Sequence, residues 1–213
     1  MHIPDGFLNV PVAAAGYIVS GATLTYAVAK TKKMLSEKEV PLLGVSAAFI
    51  FAAQMINFPV AAGTSGHFVG AFLAALLLGP WAGMISMSVV LMLQCLLFAD
   101  GGFTALGANI FNMAIVGGVI PYFLYTLVAK NLRSKKARFI AIAALGWLAT
   151  VVASAVCAIE LGLSGTSPFL AALFAMAGVH ALIGIGEGTI TAAVVLAVFA
   201  VRKDLVFAFR GQN

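Results

Sequence analysis

The stretch Leu76–Gly83, "LLLGPWAG", decides how many times this chain can cross a membrane. It interrupts an apolar run from Phe68 to Ala99 that contains no Lys, Arg, Asp or Glu. Were the whole run one helix, the basic residues after it and those before it would fall on opposite sides of a bilayer. A break at Gly79-Pro80, a turn pair by residue type, returns them to the same side. Basic residues collect on the cytoplasmic side of membrane proteins, so the break is the expected reading.

A bilayer is the expected solvent because 62% of the 213 residues are hydrophobic and only 9% charged, against about 25% charged in a soluble domain. A single integral membrane domain, residues 1–213, is expected. The 12 Lys and Arg fall into three clusters. The first is Lys30, Lys32, Lys33 and Lys38; the second Lys130, Arg133, Lys135, Lys136 and Arg138; the third Arg202, Lys203 and Arg210. Clusters at span ends mark topology, and nucleic acid is excluded as a partner. Cys95 and Cys157 both lie in apolar stretches and read as small buried hydrophobes.

The apolar stretches predict an all-α, polytopic helical bundle. Its seven spans run Val10–Ala29, Pro41–Phe58, Ala61–Gly79, Trp81–Ala99, Ala108–Ala129, Phe139–Leu161 and Phe169–Val201. The N-terminus then lies outside and the C-terminus in the cytoplasm, as suits a multi-pass protein of the cell (inner) membrane. The outer face would hold the N-terminal tail, "AAGTSGHF" (61–68), "ADGGFTALG" (99–107) and "IELGLSGTSP" (159–168). These segments carry Asp5, Asp100 and Glu160, read as loop carboxylates, and no Lys or Arg.

The chain opens "MHIPDGFL". This opening has neither the basic segment nor the cleavage site of a signal peptide, and Met1 is expected to be retained because His2 is not a small residue. A free Met1 amine beside His2 is a chelator. The amine and the His2 backbone nitrogen close a five-membered ring on a metal, and the His2 backbone nitrogen and Nδ1 close a six-membered one. The three nitrogens lie in a plane once the amide ionises, which suits Ni(II) or Cu(II). His67, on the same outer face, is the candidate for the fourth position. Thr64 and Ser65 could orient its ring, and Asp5 is the acidic residue nearest His2 in sequence.

The motifs "MHIPDGFL", "GTSGHFVGA" (63–71) and "GVHALIGIGEG" (178–188) closely resemble the CbiM/NikM family, the substrate-capture components of energy-coupling-factor transporters for nickel and cobalt. The resemblance covers nearly the whole chain. It implies a metal held by the Met1 amine, the His2 amide and imidazole, and His67. It also implies the six-helix substrate-capture fold with one extra N-terminal helix. Ni(II) or Co(II) would be the transported substrate, with no organic cofactor. Uptake would need a coupling transmembrane subunit, two cytoplasmic ABC ATPase subunits and, in some members, a small accessory membrane subunit, here a separate protein.

His180 and Glu187 sit two helical turns apart on the last span and share a face with Gly184, Gly188 and Thr191. They read as a polar cluster beneath the metal, as a proton relay, or as a pair joining helices. Asn57, Gln94, Asn109 and Asn112 read first as interhelical hydrogen-bonding residues, with support of the metal ligands as the alternative. Gly44, Ala48 and Ala52 form a small-residue stripe that would face either the bundle or a partner subunit. No Gly-Lys dipeptide exists, so there is no phosphate-binding P-loop, and no loop nucleophile has a base beside it; an enzyme is not expected. The competing function is a stand-alone proton-coupled metal transporter or channel that uses His180 and Glu187.

Overall fold

Gly79 adopts φ 89° and ψ 160°, a conformation closed to residues with a side chain, and Pro80 follows it as the first residue of a new helix. The two helices meeting there fold back on one another, since a Cβ on Gly83 would lie 2.8 Å from the Ala75 nitrogen. The computed structural model describes residues 1–34, 40–60 and 64–210. Lys38 of the first basic cluster and positions 61–63 of the third expected span lie outside the described residues.

Seven helices run through the described residues, apart from two short turns of 3-10 helix near the C-terminus. They are α1 (Val10–Met34), α2 (Val40–Gln54), α3 (Ala71–Leu78), α4 (Pro80–Phe98), α5 (Leu106–Ala129), α6 (Lys135–Leu163) and α7 (Phe169–Arg202). Five of them, α1 and α4 to α7, are long and apolar enough to cross a membrane. Helix α2, at 15 residues, is shorter than its expected span. Beyond it, β1 (Phe58–Val60) and β2 (Thr64–Gly66) pair antiparallel, with Phe58 opposite Gly66 and Val60 opposite Thr64.

The third expected span is the main departure. Ala61–Gly79 is expected as one helix, but among its described residues only Ala71–Leu78 is helical, and these eight residues are all buried. A strand and an extended segment carrying His67 precede it. Eight residues rise about 12 Å, so α3 is a half-helix that enters the bundle and turns back at Gly79.

Close backbone approach organises the packing. Helix α1 buries only Gly16, Ser20, Ala27 and Thr31, a narrow seam, and otherwise faces outward. That seam rests on the start of α5. A Cβ on Gly16 would lie 2.6 Å from the Ala108 nitrogen, and the Ser20 hydroxyl donates to the Gly107 carbonyl at 2.7 Å. Helices α6 and α7 form an antiparallel pair. A Cβ on Gly146 would lie 3.1 Å from the Gly188 Cα, and the Trp147 indole donates to the Ala181 carbonyl at 2.9 Å. The middle of α5, Phe111–Val119, is wound as a π-helix. Pro121 offers no N–H to the carbonyls one turn back, so the preceding turns widen.

The bundle has two unlike ends. At one, Phe207 packs against the Gly79 turn, and Phe139, Phe199 and Phe209 join the ends of α6, α7 and the C-terminal segment. The described Lys and Arg gather there, at the end of α1, between α5 and α6, and after α7. At the other end, Asn9 donates to the Leu163 carbonyl at 3.0 Å, bringing the N-terminal tail to the α6–α7 turn.

The glycine seams predict a contrast. A Cβ on Gly188 would sit inside van der Waals contact of the Ala143 carbonyl oxygen, whereas one on Gly178 meets nothing. Gly188→Ala is expected to destabilise by about 1–3 kcal/mol through overpacking. Gly178→Ala is expected to be neutral or slightly stabilising. Thermal unfolding in detergent separates the two.

Candidate metal centre

The first three residues are buried like a core strand. Met1 and Ile3 are 0% exposed and His2 is 3% exposed. Hydrocarbon and protein interior supply no water to this backbone, so each of its polar groups needs a partner. Asn109, on α5, brackets Ile3: its Oδ1 accepts from the Ile3 N–H at 2.9 Å and its Nδ2 donates to the Ile3 carbonyl at 3.2 Å. The Gly102 N–H donates to the same carbonyl at 2.8 Å. Asp5 accepts from the Thr104 N–H at 2.7 Å and from its hydroxyl at 2.6 Å. The loop between α4 and α5 therefore clamps the tail.

That clamp delivers the Met1 amine to His67. The amine nitrogen lies 2.8 Å from His67 Nε2 and 3.0 Å from Ser65 Oγ, and it donates to the Ser65 carbonyl. The His2 N–H donates to Ser65 Oγ at 3.1 Å. The Nδ1 of His67 lies 2.7 Å from the Phe68 carbonyl oxygen. A carbonyl only accepts, so Nδ1 carries the proton and Nε2 presents a lone pair to the amine. The His2 and His67 rings stack loosely, with centroids 4.5 Å apart.

The His2 ring is the unfinished part. Its Nδ1 lies 2.6 Å from Asp100 Oδ1, while the buried Nε2 has no hydrogen-bond partner among the described residues. Asp100 is itself held by Asn57, which donates to its Oδ2 at 3.1 Å.

Burial pushes the Met1 amine pKa down to about 5, against the opposing pull of Cys157 and Asp100. Burial also lowers the His2 imidazole, opposed by its contact with Asp100. At neutral pH the amine is therefore uncharged and keeps a lone pair. Metal–nitrogen bonds of about 2.0 Å meeting at a right angle place adjacent donors about 2.8 Å apart. The separation of the Met1 amine from His67 Nε2 matches that spacing. Among the described residues no group of three His, Cys, Asp or Glu could hold a metal ion.

The chain matches the family model for the cobalt uptake substrate-specific transmembrane region over residues 2–205. It belongs to that family. The family's members include a protein of Archaeoglobus fulgidus named as a fused nickel transport protein, NikMN, 47% identical over 97% of this chain and 68% of its own length. A protein of Haloquadratum walsbyi named as a metal transport protein is 43% identical over 100% of this chain and 97% of its own. A crystal structure of a transition metal transporter superposes with a TM-score of 0.87 at 35% identity, over 99% of this chain and 100% of that one. Like the rest of this transition-metal transport family, the chain is a multi-pass membrane protein.

Of the residues singled out in the sequence, Met1, His2, Ser65 and His67 come together. Thr64 is buried one residue away, its hydroxyl 2.6 Å from the Met176 sulfur. Asp5 lies at the tail's outer edge on Thr104, and Asp100 is the carboxylate beside His2. Glu160 is not a loop residue as expected. It lies within α6 and accepts from Asn112 at 2.6 Å. His180 and Glu187 share the buried face of α7, but each bonds elsewhere. His180 Nδ1 lies 2.7 Å from the Met176 carbonyl, while Glu187 accepts from the Val69 and Gly70 N–H groups at 2.7 and 2.8 Å. On α2, Gly44 faces open space, with nothing within 4 Å of an added Cβ.

Asn109, Gly102 and Asp100 are the functional positions that sequence reasoning left among generic polar or loop residues. The signal for them was the Asp-Gly-Gly run in a loop assigned to the same face as His2.

A Cβ on Gly102 would overlap the Asp5 nitrogen and Pro4 carbonyl carbon. Gly102→Val is expected to lift the tail while leaving the bundle intact. Hydrogen–deuterium exchange should then rise in residues 1–8 and stay unchanged in α6 and α7.

Proposed function

We propose that this chain captures Ni(II), or Co(II), in a planar set of four nitrogens: the Met1 amine, the His2 backbone nitrogen, His2 Nδ1 and His67 Nε2. The carrying observation is the buried Met1 amine, 2.8 Å from His67 Nε2. In this reading the metal replaces the hydrogen bond between them, and His2 Nδ1 exchanges its contact with Asp100 for the metal. The His2 amide gives up its proton to the solvent as the chelate closes. The tail and the 99–107 loop then cover the ion.

The capture site faces outward, away from the basic clusters, as the placement of Lys and Arg supports. ATP-driven uptake follows in a complex with a coupling transmembrane subunit and two cytoplasmic ABC ATPases. A four-nitrogen plane with an ionised amide favours low-spin Ni(II) over Co(II), while Cu(II) would bind at least as tightly in vitro. The rival proton-coupled pathway through His180 and Glu187 loses ground, because both Glu187 oxygens already hold backbone N–H groups.

Titration of protein with an unblocked Met1 should give a planar Ni(II) absorption band. His2→Ala, His67→Ala, acetylation of the amine, or one residue added before Met1 should each abolish it. Retention of the band in the acetylated protein would overturn the chelate.

The pH profile provides a second check. The amine pKa of about 5 lies below its ordinary 8.0, so between those values the docked amine is already neutral. There, binding releases the amide proton, and affinity should rise about tenfold per pH unit. Below about pH 5 the amine is protonated as well, and the fall in affinity should steepen. Competition against a pH-calibrated chelator measures both slopes.

A further inference from the structure

His67 sits on backbone that belongs to neither strand nor helix, between Gly66 and Ala71. Two consecutive peptide groups follow its ring. In the first, the Phe68 carbonyl lies 2.7 Å from His67 Nδ1, and the Val69 N–H donates to Glu187 Oε2 at 2.7 Å. In the second, the Val69 carbonyl accepts from Gln54 Nε2 at 2.7 Å, and the Gly70 N–H donates to Glu187 Oε1 at 2.8 Å. Each oxygen of one carboxylate thus holds one peptide. Only the first peptide continues to the imidazole.

We infer that Glu187 is a positioning residue for His67, acting on its Nε2 through the Phe68–Val69 peptide group. Metal-binding histidines commonly donate their second ring N–H to a carboxylate, which fixes the tautomer and raises ligand basicity. Here a peptide group stands between carboxylate and ring. The Glu187 carboxyl oxygen draws on the Val69 N–H, polarises the peptide and makes the Phe68 oxygen a stronger acceptor. That oxygen in turn draws on the Nδ1 proton, and electron density shifts toward Nε2. Hydrogen bonds in such a chain reinforce one another where water is excluded. Glu187 is 2% exposed and His67 is 1% exposed, so little solvent screens the chain.

The geometry also explains why an acidic residue occupies the middle of α7. The turn before α3 leaves N–H groups that no helix can satisfy, and a carboxylate with two oxygens at the correct spacing satisfies two of them. A neutral Gln in the same place accepts through one oxygen only and turns an N–H toward the other donor.

The inference rests on the metal site proposed above, so the experiment separates the two. Ni(II) is titrated into native protein, Glu187→Gln and Gln54→Leu, following affinity, the planar absorption band and the thermal midpoint of the metal-free forms. Absence of the band from native protein would sink the site itself. With the band present, Glu187→Gln is expected to lower affinity about ten- to hundredfold and to move the band to longer wavelength, as a weaker Nε2 donor requires. Gln54→Leu loosens the same segment through the second peptide. It is expected to lower the thermal midpoint without moving the band. An unmoved band and unchanged affinity in Glu187→Gln would overturn the relay, as would an equal band shift in both variants. If Glu187→Gln does not fold, histidine-labelled native protein with Ni(II), diamagnetic when planar, answers by nitrogen NMR. A His67 protonated at Nδ1 with a strongly deshielded proton supports the relay; a His67 without that proton overturns it.

Discussion

Backbone that is neither helix nor closed sheet has no hydrogen-bond partners of its own, and the interior of a membrane bundle supplies no water to replace them. Everything distinctive about this chain follows from meeting that constraint twice. The N-terminal tail enters the bundle as single extended chain, and Asn109 treats Ile3 as a neighbouring strand would, accepting from its N–H and donating to its carbonyl. The segment after His67 enters between strand and half-helix, and Glu187 and Gln54 take up its exposed peptides. Five of the helices can satisfy their own backbones and cross unaided. They form the frame that lets the two irregular segments meet.

The meeting changes chemistry as well as packing. An α-amine in water is protonated near neutrality and is a poor ligand. Buried beside His67, its pKa falls to about 5. Desolvation thus supplies a lone pair where an exposed terminus would carry a charge. The cost is offset by the clamp, in which Gly102 and Thr104 pin the tail from outside and Asn109 from within.

The sequence exposed the frame more readily than the site. The Gly79-Pro80 break was legible because glycine and proline act locally, and the end-point charges were legible because they gather in three clusters at span ends. The same apolar composition hid the third segment. Residues 68–79 are hydrophobic whether wound as helix or drawn out as buried backbone, and hydropathy cannot tell these apart. What distinguishes them is Glu187, more than a hundred positions later, whose meaning is set only by what packs against it. His2 and His67 were recognisable from chelate chemistry and topology. Asn109 and Asp100 were not, because an Asn within a span and an Asp in a loop have ordinary explanations until the tail is seen lying between them. Glu160 was misread for a related reason: it stood where the expected span and the expected loop overlapped, and only the packing against Asn112 shows it on a buried helix face.

A dication in a nearly uncharged interior must be neutralised locally, since an unpaired buried charge is costly. In the proposed site the ionised His2 amide supplies one negative charge and Asp100, beside the His2 ring, supplies a second. An occupied site is then close to neutral without any carboxylate ligand, and the set of four nitrogens is preserved. The same balance identifies the vulnerable atom. The His2 backbone nitrogen belongs to both chelate rings, so returning one proton to it opens both together and restores a charge that Asp100 alone does not cancel. In the proposed site, release would follow from protonating the His2 nitrogen, and the tail clamp between α4 and α5 is the element whose loosening would expose that nitrogen.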